Sequence, residues 1–500
     1  MNLTEIERTI HEERFIKIIL FVLIFIMANR LPLDSDFWWH IRTGQLSVLN
    51  HSPVLQDLTS FTVFSKPWIN HSWLSQVIYF EIFNLLGYVG IMIFVAILAT
   101  LSIYFVFIRL KSNVLTNSFV VILCALATSV VWSPRPQLIS LLFFSILLYL
   151  VEEIRFKNNL FLYIGVSFLF LVWGNLHAGF SIGIIYLIGK FSGKLLDLIF
   201  SSQPGNKTNK KDTLILLGLI IASSLVVILN PNGINIWKVQ FNTISIPSLQ
   251  NLIPEWASPN FHELYQQPFL WIWLLLVFFL MRNKSKYSFE TIIPLIILGG
   301  LGFLSRRNYV YFSIFAIPIL SREIQIFFDY NKDNVNWIRK INTKMVGANK
   351  VPDFRFTKVI NLSFVAILLF VAFGKIIYLG SPVIYQSYLQ KSYPVEIVNI
   401  LRNDGIGNLK CLNSYAWGGY LSWALPEVPI FIDGRTDLYG EKIIQDWLVL
   451  LNSSDNWKTL LEDYQINCII LEPEQHIVNQ LIADSWNLIY RNENSVLILK

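Results

Sequence analysis

The sequence is poor in charge. Only 14% of its 500 residues are Asp, Glu, Lys or Arg, while 54% are hydrophobic; a soluble protein carries about a quarter charged residues. Mean hydropathy is +0.52. That shortage excludes an ordinary soluble domain, and apolar runs of about 20 residues define a polytopic membrane protein. Cysteine is scarce too. The three present, Cys124, Cys411 and Cys468, have no metal-ligand spacing. Cys124 falls in an apolar run; Cys411 and Cys468 fall in tail segments that read as strands, where buried thiols are expected and a disulfide is the alternative. Neither GxGxxG nor GxxxxGK[ST] occurs, so nucleotide binding has no support. The N-terminus has a charged lead and no small-residue cleavage site, and it reads as a retained first span, not a signal peptide. The net charge of +6 is then a matter of membrane topology, with no nucleic-acid partner implied.

The apolar runs predict about eleven spans, at 15–32, 88–109, 116–132, 136–151, 159–174, 179–200, 213–229, 268–281, 289–305, 309–321 and 358–379. Residues 72–87 read as an extra helix in the outer interface or against the bundle. With the N-terminus inside, inner loops collect Arg109, Lys111, Arg155, Lys157, Lys207, Lys210, Lys211, Arg282, Lys284, Lys286 and the basic stretch from Arg322 to Lys358. Outer loops hold few cations, as the positive-inside rule requires. An odd number of spans puts the tail outside. Two regions follow: a transmembrane domain over 1–380 with an outer first loop at 33–72, and an extracytoplasmic α/β domain over 381–500. In the tail, strands are expected in "LKCLN", "VPIFID" and "INCIILEP" and in a closing hairpin, with helices between them. The location expected is the inner (plasma) membrane.

The unusual polar residues sort onto the outer side, as they would in an enzyme working at the membrane surface. In "LPLDSDFWWHIRTGQ" (31–45), Asp34 and Asp36 can chelate a divalent cation (Mg or Mn), or one can act as general base while the other orients an acceptor. His40 and Arg42 follow within the same short stretch. The alternative is a solvated loop whose tryptophans belong to an interfacial belt. Arg306 and Arg307, between two apolar runs, need compensating anions. A ligand phosphate would supply them bidentately, and so would lipid headgroups or Asp34 and Asp36. Arg135, held between Pro134 and Pro136, can aim at the same place. His177 is either a base or a satisfied interfacial histidine, and Glu255 in "IPEW" is a ligand or a plain loop acid. In "NSYAWGGYLSWALPEVPIFIDGRTDLYG" (413–440), Trp417 precedes two glycines, and Asp433 and Arg435 flank Gly434 at a strand end. That stretch suits a ligand loop or a turn with a helix cap.

These features resemble the GT-C class of membrane glycosyltransferases. "DSDFWWHIRTG" is similar to the first-loop motif of oligosaccharyltransferase catalytic subunits, and "SYAWGGYLSWALPEVPIFIDG" is similar in layout to their WWDYG region. The whole chain resembles bacterial relatives of the lipopolysaccharide-sugar and mannosyl transferases of that class. The resemblance implies a polyprenyl-phosphate-linked sugar as donor and a glycan, lipid or protein as acceptor. It implies catalysis by Asp36 and Asp34, donor-phosphate binding by Arg306, Arg307 and Arg135, and support from His40, Arg42, Glu255, His177, Trp417, Asp433 and Arg435. The motif's acid is missing around Ala416-Trp417-Gly418, so protein N-glycosylation is not expected. A membrane scaffold or polysaccharide-export component, or a polysaccharide ligase or polymerase, is the competing expectation.

Overall fold

The computed structural model describes residues 3–156, 160–200, 210–244, 246, 253, 255–331, 354–404 and 407–500. Lys207, Pro254 and the basic stretch 332–353 lie outside them. The helices preceding the tail are α1 (Leu3–Ala28), α2 (Ser35–Leu49), α3 (Trp73–Phe107), α4 (Val114–Thr128), α5 (Pro136–Phe156), α6 (Leu160–Leu176), α7 (Phe180–Phe200), α8 (Lys210–Val226), α9 (Lys238–Ile244), α10 (Gln267–Asn283), α11 (Phe289–Leu304), α12 (Tyr309–Asn331) and α13 (Phe354–Leu379).

Every expected span coincides with one of these helices. Among the described residues, seven helices are long and apolar enough to cross a membrane by length and composition, and α6 and α11 are shorter apolar helices. α1 and α7 carry charges inside or beside their apolar runs, such as Lys17 and Lys190. The chain is therefore a multi-pass membrane protein, and the helices alone do not establish a count of about eleven crossings. Gly87 interrupts α3 with φ 61° and ψ −160°, a left-handed conformation that glycine adopts without a Cβ penalty. That break divides the expected outer helix from the span after it. Trp173, Phe144, Phe170 and Phe180 are fully buried between helices, whereas Leu362, Phe370 and Phe373 of α13 are largely exposed. An apolar face of that kind suits hydrocarbon and not water.

The tail continues with α14 (Pro382–Ser392), α15 (Val395–Asp404), β1 (Cys411–Asn413), α16 (Gly418–Ala424), α17 (Thr436–Leu451), α18 (Trp457–Asp463), β2 (Cys468–Leu471), α19 (His476–Ala483), β3 (Asn487–Arg491) and β4 (Val496–Leu499). The sheet order is β1-β2-β4-β3. β1 and β2 are parallel and the other pairs antiparallel. Two expectations are corrected here. "VPIFID" forms no strand of the sheet, only isolated bridges from Ile430 to Ser60 and Cys411. The Asn413 side chain takes its place in the ladder, accepting from Phe431 N at 2.8 Å and donating to Ile432 O at 2.8 Å. Cys411 and Cys468 are not thiols but a disulfide, because the parallel register sets them opposite each other with Cα atoms 4.3 Å apart.

Candidate active site at the first helix turn

The stretch read as the start of an outer loop is helical. Asp34 is the N-cap of α2, and its Oδ1 accepts the Asp36 N–H at 3.0 Å, satisfying a donor that the first turn leaves free. Behind the acids, Phe37, Trp38 and Ile41 are buried, so their apolar faces fix how the helix lies. At Gly44 a Cβ would collide with the Gln76 backbone carbonyl, so α2 crosses the start of α3 with backbone close against backbone. Asp34 and Asp36 are thereby held at one end of a packed helix.

Arg135 meets them from the loop before α5. Its Nε donates to Asp34 Oδ1 at 2.6 Å, and its Nη1 lies 2.8 Å from Glu255 Oε1 and 3.2 Å from Asp36 Oδ2. Pro134 and Pro136 restrict the backbone on either side, and the Arg135 carbonyl accepts from Tyr79 Oη at 2.9 Å. Three carboxylates from two segments thus surround one guanidinium. Burial opposes charge on Arg135, but Asp36, Asp34 and Glu255 outweigh it and hold its pKa well above the usual arginine value. Burial is also the main reason that the Asp36 carboxyl is pushed up to about 6. Asp34 and Glu255 add to the rise, and Arg135 and the Trp39 indole oppose it. Its side chain still keeps 23% of its surface accessible, so a ligand can reach it.

Arg306 and Arg307 approach through the segment that carries Glu255. Arg306 N donates to Ala257 O at 3.1 Å, Arg307 N to Glu255 O at 3.3 Å and Ser305 Oγ to Glu255 O at 2.9 Å. The Arg307 guanidinium lies 4.5 Å from the Trp256 ring centroid, a favourable cation–π placement. No carboxylate pairs with it among the described residues. Its pKa is lowered by burial, against the pull of Glu255 and Tyr311. Arg306 touches Tyr265 Oη at 3.4 Å, and its buried Nε has no partner among the described residues. The arginine that pairs with the acids is therefore Arg135, while Arg306 and Arg307 pair with no carboxylate among the described residues.

The two candidate histidines, His40 and His177, are buried. His40 lies against Trp39 with ring centroids 3.6 Å apart, and its Nδ1 has no partner among the described residues. Burial holds it well below the ordinary histidine range, reinforced by His71, Arg135 and Arg435. His177 Nδ1 accepts from Gly179 N at 3.1 Å and lies 2.7 Å from Ser140 Oγ, which accepts from Trp173 Nε1 at 2.7 Å. This network assigns the Nε2–H tautomer to His177. Burial likewise keeps it well below the usual range, with His71, Arg307 and His40 adding. His71, at 5.7 Å from His177 between ring centroids, went unnoticed in the sequence, where "NHSW" gives no sign that it folds back on these residues.

The remaining expected site residues bond to partners other than Asp34 and Asp36. Arg42 donates to Gln45 Oε1 at 2.6 Å, and Trp417 Nε1 donates to Ser392 O at 3.1 Å. Asp433 and Arg435 form a buried latch. Arg435 Nε and Nη2 hold Asp433 at 2.9 and 2.7 Å, Nη1 reaches Asp57 at 2.9 Å, and Nη2 donates to Thr59 Oγ1 at 2.6 Å. This turn touches the site through the glycine between them. A Cβ at Gly434 would collide with Asp36 Oδ1, and one at Gly419 would meet Ser35 O and Trp39 N, both at 3.0 Å. The glycines of the tail are thus what lets it lie flat against the acid-bearing turn.

A divalent cation on Asp34 and Asp36 does not fit this arrangement. Their oxygens point at Arg135, and among the described residues no three His, Cys, Asp or Glu side chains are grouped to hold a metal. The expected Mg or Mn therefore has no ligand set at this pair among the described residues as they are placed.

No family model matches the sequence, and no curated protein matches it. Solved structures do share its fold. The archaeal oligosaccharyltransferase AglB from Archaeoglobus fulgidus, in complex with an inhibitory peptide and a dolichol-phosphate, superposes with TM-score 0.55 at 10% identity, covering 91% of this chain and 69% of that one. The same enzyme in complex with Zn and sulfate gives 0.55 at 11% identity, covering 91% and 68%. ArnT from Cupriavidus metallidurans, bound to undecaprenyl phosphate, gives 0.49 at 10% identity, covering 100% and 98%. The chain shares the fold of AglB.

Proposed function

We propose that this chain is a membrane glycosyltransferase that moves a sugar from a polyprenyl-phosphate-linked donor to a hydroxyl-bearing lipid, glycan or protein acceptor at the outer face of the membrane. The carrying observation is the meeting of Asp36, accessible and elevated in pKa, with cations on two separate loops. Asp36 accepts the acceptor's proton as the new glycosidic bond forms. The bond between the anomeric carbon and the donor phosphate breaks, and its electron pair leaves with the phosphate. Arg307 and Arg306 hold that phosphate and take up the charge developing on it. Asp34 orients Arg135 and caps the helix that presents Asp36. AglB's complex with a dolichol-phosphate supports a polyprenyl phosphate as the lipid.

The outer location and the tail's exposure rest on two supports: the Lys/Arg bias of the loops, and the Cys411–Cys468 disulfide, a bond that persists in oxidising compartments. The division into a transmembrane region over 1–380 and an extracytoplasmic region over 381–500 belongs to the same proposal. Purified protein supplied with a lipid-linked sugar pool tests it. Release of the polyprenyl phosphate by wild type and not by a well-folded Asp36→Asn variant is expected. A scaffold would release none in either form, and a ligase that does not use the acids would release it in both.

A further inference from the structure

We infer that Arg135 is the built-in cation of this site, occupying the position among the acids where a divalent metal would otherwise bind, so that the wild-type chain takes no metal there. This rests on the acids forming the reaction centre proposed above, but its physical basis is separate. Oxygen ligands of Mg²⁺ must converge to about 2.0–2.1 Å from one point. Here the oxygens of Asp34, Glu255 and Asp36 converge instead on Arg135 nitrogens at 2.6, 2.8 and 3.2 Å.

The guanidinium is also fixed. Its side chain is 15% exposed, its backbone lies between two prolines, and Tyr79 holds its carbonyl. Moving it aside for a metal would strand a buried charge beside a second one, which is strongly unfavourable. Arg135 does for the carboxylates what a bound cation does: it gathers three like charges and keeps Asp36 ionisable. Its Nη2 has no acceptor among the described residues, so it retains hydrogen-bond donors that a metal ion lacks. These can meet an oxygen of the ligand directly.

The test is Mn²⁺ binding, followed by electron paramagnetic resonance of the free ion, to full-length protein purified in detergent and stripped with chelator. Wild type is expected to leave Mn²⁺ free. Arg135→Ala removes the guanidinium and is expected to gain one bound Mn²⁺, at least about tenfold tighter than wild type, and to lose it again when Asp36→Asn is added. Arg135→Gln, closer in size to arginine, serves if the alanine variant does not fold, with the same expectation. One Mn²⁺ bound to wild type and lost in Asp34→Asn or Asp36→Asn would overturn the inference. So would a folded Arg135 variant that gains none. These readouts need no sugar transfer. A chain that transfers nothing but binds metal as described here would contradict the proposed function and leave the built-in cation standing.

Discussion

Two arginines in this protein are each surrounded by carboxylates, and they do different things. Arg435 is 3% exposed, its partners Asp433 and Asp57 are 0% exposed, and further bonds that it donates to the Thr59 and Tyr439 hydroxyls complete its fork. It is closed, and it fastens the tail to the loop after α2. Arg135 faces three acids with one charge, and two of those acids, Asp36 and Glu255, stay partly accessible. Accessible acids and spare donors suit a site that takes a ligand. Two fully buried acids on one fully engaged guanidinium suit a dock. Motif density alone does not separate the two, because both stretches are equally crowded with acids, arginine and aromatics.

The predictions probe that contrast, the largest effect first. Asp36→Asn should lower turnover by about 10³-fold or more while thermal unfolding stays cooperative, measured by polyprenyl phosphate release. Arg435→Ala should leave Asp433 and Asp57 buried without a cationic partner, costing about 3–5 kcal/mol. The expected sign is faster proteolysis between α2 and the tail, with activity lost only as the tail undocks. Arg307→Lys keeps the charge but loses the planar fork, so donor KM should rise about tenfold with a smaller change in kcat.

The pH dependence gives a subtler effect. Asp36 works as the carboxylate and its pKa is raised to about 6, so turnover should be high above that pH and fall as pH drops through it. His40 and His177 have depressed values, stay neutral across that range and add no limb there. Their effect is on stability: the unfolded chain binds protons that the native state refuses, so stability should be retained above about 6.5 and lost as pH falls below it. Melting curves against pH, compared with the rate profile, separate the two groups.

Much of the bundle was legible because a run of apolar residues long enough to cross a bilayer leaves few alternatives, and Gly87 marked its own break. The helical start at Ser35 was not, since Asp34-Ser35-Asp36 suits a loop as well as a cap. Arg135 was a candidate for its flanking prolines, yet its partners lie about a hundred residues away on either side, a distance no local pattern spans. The latch joins Thr59 to Arg435 across 376 positions, so Asp433 and Arg435 looked like ligand residues. Gly434 was read as a turn, when its missing side chain is what admits Asp36. The cysteine pairing depended on the register of two strands 57 residues apart, which composition does not reveal.

The central claim is that Asp36 does chemistry beside a lipid-linked donor. The direct measurement is polyprenyl phosphate released per enzyme from a lipid-linked sugar pool, for wild type and Asp36→Asn side by side at pH 7.5 or so, well above the pKa of about 6. The expected result is steady release by wild type and background release by a variant that melts at a similar temperature. Equal release from both would contradict it.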